Sequence, residues 1–360
     1  SITDFEADSL TALTITGSKS LAVTLNDSAA VSTIPLTKVD ASAFTGSSLS
    51  VTAVEADSGV TVTTGSQALT VTVGDGTNSV TATAGDDNVT TGSGADTIVT
   101  YDGEDTISAG DGANTITVGN GNATITGGEG VDTVTAGTGN NVITLGDGAD
   151  VLTTGKGANT ITNAAGNATI TAGDGNNTVT NTAGNSTITL GGGTNTVNLT
   201  AGNSTVVTGE GADDINITAG NNDITSGAGN DTISLGSGND TVDAGTGTDA
   251  VDFSISSGTW TGAVSNAETV SATFTGSAKI DTTGITGYTS LTVAASADTT
   301  TTTINNLATS TLNLTDDAAE AGGDGDLEAV TVDAVDDAAL VISLGANQEA
   351  ATATASVLGS

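Results

Sequence analysis

From Gly74 to Phe253 the chain keeps count: 180 residues fall into 20 consecutive units of nine, with none gained or lost. The third place of every unit is Gly, from Gly76 to Gly247. The seventh is Val, Ile or Leu in every unit, from Val80 to Val251. A glycine at fixed phase marks a turn that needs positive φ or close backbone approach. The stretch after it reads T-I-T or T-V-T and alternates polar and apolar with period two, which predicts a short half-buried strand. One turn and one strand make half a coil, so two units, 18 residues, close one coil with strands on two opposite sheets. The seventh-place aliphatics then point inward, and Thr at places six and eight points out. The array would make 10 coils (180 divided by 18), about 48 Å long at the usual strand spacing. No insertion is tolerated, because one extra residue would turn every later side chain to the other face.

Composition agrees with a thin stacked core. There are 50 Gly and 1 Pro among 360 residues, and aromatics are 2%. So few large side chains cannot fill a wide globular interior, whereas a solenoid buries a little surface per layer. The formal net charge is −38, with four lysines (Lys19, Lys38, Lys156, Lys279) as the only basic residues. Such a chain repels nucleic acid and anionic membranes and resists its own compaction unless it recruits cations. It has no Cys and no His, which removes disulfides, thiolate chemistry and the commonest general base. No apolar run is long enough to span a bilayer. The reading starts at Ser1, with no basic, Sec-type leader in view.

The loops carry the chemistry. Segments such as Ala109–Thr117 (A-G-D-G-A-N-T-I-T), Leu145–Thr153 (L-G-D-G-A-D-V-L-T) and Leu235–Asp243 (L-G-S-G-N-D-T-V-D) resemble the nonapeptide repeats of RTX proteins, G-G-x-G-x-D-x-U-x. The leading Gly is usually replaced by Ala, Thr or Leu. The resemblance covers about half of the chain and implies an all-β fold, a right-handed parallel β-roll or β-helix solenoid, that binds several Ca²⁺ ions. In such rolls calcium lies between successive loops on one edge, held by loop carbonyls and the Asp; oxygen ligands in a negative loop suit this hard cation.

Alternate units lie on opposite edges, so the fifth-place residues sort into two columns. One carries Asn78, Asp96, Asn114, Asp132, Asp150, Ala168, Ser186, Ser204, Asn222 and Asp240. The other carries Asp87, Asp105, Ala123, Asn141, Asn159, Asn177, Asn195, Asp213, Asp231 and Asp249. Adjacent Asp pairs, Asp87/Asp105, Asp132/Asp150, Asp213/Asp231 and Asp231/Asp249, are the best metal candidates. Asp96 and Asp240 have Asn neighbours and imply weaker sites. Asn141, Asn159, Asn177 and Asn195 are expected to stack as an amide ladder, and Asn167, Asn185 and Asn203 as a second ladder on the other edge. The middle of the roll is thus expected to be poor in calcium and both ends rich. A lone loop Asp would instead be a turn residue bonding its own backbone.

Residues 1–73 and 254–360 contain short strands at irregular spacing (L-T-A-L-T-I-T, A-L-T-V-T-V, A-E-T-V-S-A-T-F, A-L-V-I-S-L) and are expected to stack on the 74–253 array as irregular coils. Pro35 falls in a loop or at a strand edge. The run A-G-G-D-G-D-L-E, residues 321–328, is either a further calcium loop (Asp324, Asp326) or a solvated turn. The segment T-K-V-D-A-S-A-F-T-G, residues 37–46, resembles stretches of S-layer and related surface proteins exported by type I secretion. That resemblance implies an extracellular, cell-surface protein whose folding and two-dimensional lattice assembly depend on calcium, with cell-surface polysaccharide as a further partner. The chain is not expected to be an enzyme, to bind nucleic acid or to insert in a membrane. The alternative is the stalk or an ice- or surface-binding region of a large RTX adhesin; a third is a passive secretion domain after an enzyme outside this chain.

Overall fold

A computed structural model describes residues 2–6, 9–26, 34–56, 58–65, 67–275 and 278–295, and five later strands at 301–307, 311–316, 329–334, 341–344 and 352–357. The chain forms two compact units, Ser1–Leu190 and Gly191–Ser360. The run 321–328 lies outside the described residues.

Each unit is a parallel β-solenoid. In the first, strands alternate between two sheets. Ser79–Thr81, Thr97–Val99, Thr115–Thr117, Thr133–Ala136 and Val151–Thr154 follow one another on one sheet. Asn88–Thr90, Thr106–Ser108, Thr124–Glu129 and Val142–Asp147 do so on the other. Registers advance by 18: Val80 pairs with Ile98, Ile98 with Ile116, and Ile107 with Ile125. In the second unit Ile215 pairs with Ile233 and Ile233 with Val251, the same step. The two-units-per-coil reading therefore holds in both.

The core is the inward column of each strand. None of the 20 seventh-place aliphatics is more than 1% exposed, whereas Thr115 and Thr117 on either side of Ile116 are exposed. The ninth place also points inward and is filled by Ala109, Val118, Leu145, Leu190, Thr91 or Asn163, all buried. From the sequence alone only the seventh place is expected to face the interior. Alternation through the loop explains the difference: places five, seven and nine share one parity and so one face.

The glycine column has two causes at once. Gly166 has φ +108°, and a Cβ there would collide with the Gly148 carbonyl oxygen of the coil below. Left-handed backbone and coil contact both exclude a side chain.

Irregular coils flank the array within each unit. In the first, Leu21 pairs with Leu49, Leu49 with Leu69 and Thr70 with Asn88, steps of 28, 20 and 18. Pro35 lies in the coil before strand Lys38–Ala41. In the second, Ala250 pairs with Thr269 and Thr269 with Ser290, steps of 19 and 21. A five-stranded parallel sheet then forms from Gly258–Trp260, Ala278–Asp281, Thr301–Leu307, Ala329–Ala334 and Thr352–Val357. Among the described residues the only helical turn is the 3-10 segment Thr282–Gly284. Among the described residues no helix is long and apolar enough to cross a membrane.

Replacing Gly166 with Ala should lower the urea midpoint more than Ile170→Val, for which about 0.5–1.5 kcal/mol is usual. Exposed Thr171→Ala should fall within about 0.5 kcal/mol of the parent. Equilibrium unfolding of the three variants checks the order.

Candidate metal centre

The fifth-place side chains point inward. All nine candidate aspartates, Asp87, Asp96, Asp105, Asp132, Asp150, Asp213, Asp231, Asp240 and Asp249, are at most 2% exposed. Nor do these side chains bond their own turns, as a lone loop Asp would. Each Oδ1 accepts the backbone N–H of the fifth-place residue one coil earlier, or of its equivalent. Asp87 N donates to Asp105 Oδ1 at 3.0 Å, and Asp132 N to Asp150 Oδ1 at 2.8 Å. Asp213 N donates to Asp231 at 2.9 Å, and Asp231 N to Asp249 at 2.8 Å. The four adjacent pairs named from the sequence are thus brought together. Asp96 accepts from Asn78 N and its own N–H donates to Asn114, while Asp240 accepts from Asn222 N, so both sit between or beside amides.

The second oxygen separates Asp from Asn. In the Asn units other than that of Asn222 the Nδ2 group donates to loop carbonyls at places one and three. Asn177 reaches Gly173 O at 3.0 Å and Gly175 O at 2.9 Å, and Asn195 reaches Gly191 O and Gly193 O, both at 3.1 Å. Asp has no such hydrogen, so the carbonyl pair loses that donor and the carboxylate gains an acceptor. Oδ2 of Asp87, Asp96, Asp132, Asp150, Asp213, Asp231, Asp240 and Asp249 is buried without a hydrogen-bond partner. Asp105 differs: the Thr100 hydroxyl donates to its Oδ2 at 2.6 Å.

A buried carboxylate without a donor is costly, and only a proton or a cation relieves it. Burial pushes the Asp87 pKa up to about 7, with the Asp105 and Asp86 charges adding to it. Burial is also the largest cause holding Asp105, Asp132, Asp150, Asp213, Asp240 and Asp249 above the usual carboxylate range. Among the described residues no three acidic side chains gather into one cluster. The donor set that fits is therefore one or two carboxylate oxygens with loop carbonyls, an all-oxygen set of the kind calcium takes.

The amide ladder is present where the sequence places it in the first unit. Asn141 Nδ2 donates to Asn159 Oδ1 and Asn159 Nδ2 to Asn177 Oδ1, both at 2.9 Å. Asn195, in the second unit, donates to Asp213 Oδ1 at 3.0 Å. The second ladder runs through the backbone: Asn185 N donates to Asn167 Oδ1, and Asn221 N to Asn203 Oδ1. Two features escaped the sequence reading. A third Asn pair lies in the core at place nine, where Asn163 Nδ2 donates to Asn181 Oδ1 at 2.7 Å. Outer Asx residues at place two also strap coils together, as when Asn120 N donates to Asp102 Oδ1 at 2.8 Å. The signal for both was the recurrence of Asx at 18-residue intervals.

The raised pKa values set a pH dependence for the metal-free chain. A folded carboxyl whose pKa is raised contributes stability that is fully present below the unfolded value near 3.8 and is lost as pH rises, for Asp87 through about 7. With chelator present, the thermal midpoint by circular dichroism should be higher at pH 5 than at pH 8. A higher midpoint at pH 8 would contradict the buried-carboxylate geometry.

The family described as the RTX calcium-binding nonapeptide repeat (4 copies) matches residues 72–107, 90–125, 99–134, 126–161, 164–188, 189–216 and 216–251. No curated protein and no solved structure matches the chain significantly. Stacked 18-residue coils, inward fifth-place Asx and this match agree: the chain belongs to the RTX family, with calcium-binding nonapeptide repeats matched over residues 72–161 and 164–251.

Proposed function

We propose that the chain is a structural cell-surface protein, an S-layer subunit or its lattice-forming part, whose folding and assembly depend on calcium. The observation that carries this reading is the column of buried aspartates whose second oxygens have no donor, set in calcium-binding repeats. RTX repeat proteins are typically exported and extracellular, which supports the surface location. The segment at residues 37–46 supports the S-layer class, and lattice self-association and contact with cell-surface polysaccharide belong to the same reading. The chain acts without catalysis: it has no His, Cys or Arg to serve as base, nucleophile or anion clamp.

The mechanism follows from the residues. Before export, with calcium scarce, adjacent carboxylates on one edge repel and resist stacking, and the net charge of −38 adds to this. Calcium, when bound, supplies positive charge and takes several oxygen ligands at once. Asp87, Asp132, Asp150, Asp213, Asp231 and Asp249 hold it most strongly, Asp105 shares its second oxygen with the Thr100 hydroxyl, and Asp96 and Asp240 hold it more weakly. Asn141, Asn159 and Asn177 close their loops with amide hydrogens instead. Since only the folded coils present these oxygens together, binding stabilises the fold by mass action. Residues 1–73, 74–253 and 254–360 serve as entry coils, calcium array and exit coils.

Circular dichroism during calcium titration, with light scattering to follow assembly, tests the reading. β-signal and scattering should rise with calcium and fall with EDTA; traces indifferent to EDTA would overturn it. Asp213→Asn with Asp231→Asn should recreate the amide ladder. That variant should bind fewer ions and need less calcium to fold, seen as a lower midpoint in the same titration.

A further inference from the structure

The second edge does not end with the last nonapeptide. We propose that Asp249 and Glu268 form a further site for a hard divalent cation, one that ties the first irregular C-terminal coil to the repeat array. The proposal rests on the calcium reading above for the class of ion alone.

Glu268 stands in a fifth place that the nine-residue count does not reach. Asp249 N donates to Glu268 Oε2 at 2.8 Å, as Asp231 N donates to Asp249 Oδ1 at 2.8 Å. Strand Thr269–Phe274, which follows it, pairs in unbroken register with Ala250–Ile255. Thr269 N also donates to Asp249 O at 3.0 Å, repeating the bond from Ala250 N to Asp231 O. The step is 19 residues instead of 18, and the RTX matches stop at residue 251. Glu268 is therefore the next member of the column Asp213, Asp231, Asp249.

The turn that leads into it is short. Asp243 faces Ser265 across the sheet. Five residues, 244–248, separate Asp243 from Asp249, but only Asn266 and Ala267 separate Ser265 from Glu268. Asn266 has φ +59°, the only non-glycine with positive φ among the described residues. Asn tolerates this conformation best after Gly. Thr246, Gly247 and Thr248 of the preceding loop are exposed. Asp249 itself is 1% exposed, and its Oδ2 has no hydrogen-bond partner. Only one Glu268 oxygen is used by the bond to Asp249. Neither ion pair among the described residues involves these carboxylates. Two stacked carboxylates with one buried unpartnered oxygen, beside a solvent-reachable glycine loop, match an oxygen-coordinated cation that keeps some of its water.

The chain supplies its own reporter. Its one tryptophan, Trp260, falls between Asp249 and Glu268 in the sequence and stacks on Phe253, ring centroids 4.8 Å apart. In the full chain, calcium alone is titrated by calorimetry and by Trp260 fluorescence. Glu268→Gln keeps the acceptor for Asp249 N–H and removes the charge. It should lose one calcium equivalent or weaken that ion by at least ~10-fold, and shift the Trp260 transition to higher calcium. Asp249→Asn, an amide of the kind the ladder already uses, should weaken the same ion while the far-ultraviolet circular dichroism is kept. Should Glu268→Gln match the parent in stoichiometry and fluorescence midpoint, the site is refuted. The same holds if only Glu268→Ala differs, since Glu268 would then be a hydrogen-bonding strap. A parent chain that takes up no calcium would fail the reading of the preceding subsection instead.

Discussion

One hydrogen bond repeats up the stack and the rest of the structure depends on it: a fifth-place side-chain oxygen accepts the backbone N–H one coil back. It satisfies a buried backbone donor just before the strand begins, where the loop offers no sheet partner. It needs a side chain that ends in an acceptor, so most of the column is Asn, Asp or Ser, and Glu268 makes the same bond beyond the array. Ala123 and Ala168 cannot accept this bond, yet their own N–H groups still donate it, to Asn141 Oδ1 and Ser186 Oγ. Because the bond uses only Oδ1, the other atom of the head group is free to vary. Amide and carboxylate then fit one backbone while presenting a donor or an acceptor to the loop carbonyls. The fold and its calcium dependence are thus set by different atoms of one residue.

This separation explains why the fifth place drifts along the array while the third and seventh do not. Gly166 is fixed by backbone conformation and by the Gly148 carbonyl above which it sits. Ile170 is fixed by the volume of a thin core in which it is fully buried. Between them the chain chooses, coil by coil, between a loop closed by hydrogen and a loop left for a cation. Asp105 shows an intermediate choice, since Thr100 quenches its second oxygen with a hydroxyl.

Much of this was legible in the residues. The period of nine, the strand at places six to eight, the stacking of two units per coil and the pairing of Asp87 with Asp105 or Asp213 with Asp231 all follow from counting. The inward orientation of the fifth-place carboxylates is not legible there, because the parity linking places five, seven and nine extends beyond the strand into the loop, where the period-two alternation is not visible. Glu268 is hidden for a different reason: strict counting fails at a 19-residue step, and a three-dimensional register is needed to see that A-E-T-V at 267–270 continues T-D-A-V at 248–251. The hydroxyl of Thr100 could not be assigned to Asp105 from spacing alone, since other ninth-place hydroxyls, such as that of Thr91, donate to a carbonyl of the next coil instead.

The inner and outer straps run in opposite senses. At place five the side chain of the later coil holds the backbone of the earlier one, as Asn159 holds Asn141; at place four the earlier side chain holds the later backbone, as Asn122 holds Asn140. A cut between any two such coils would therefore expose unlike surfaces, one with bare inner amides and outer oxygens, the other with the reverse. Like surfaces could not satisfy each other. The stack has a grain, as a filament with plus and minus ends does, and new layers fit it in one direction only.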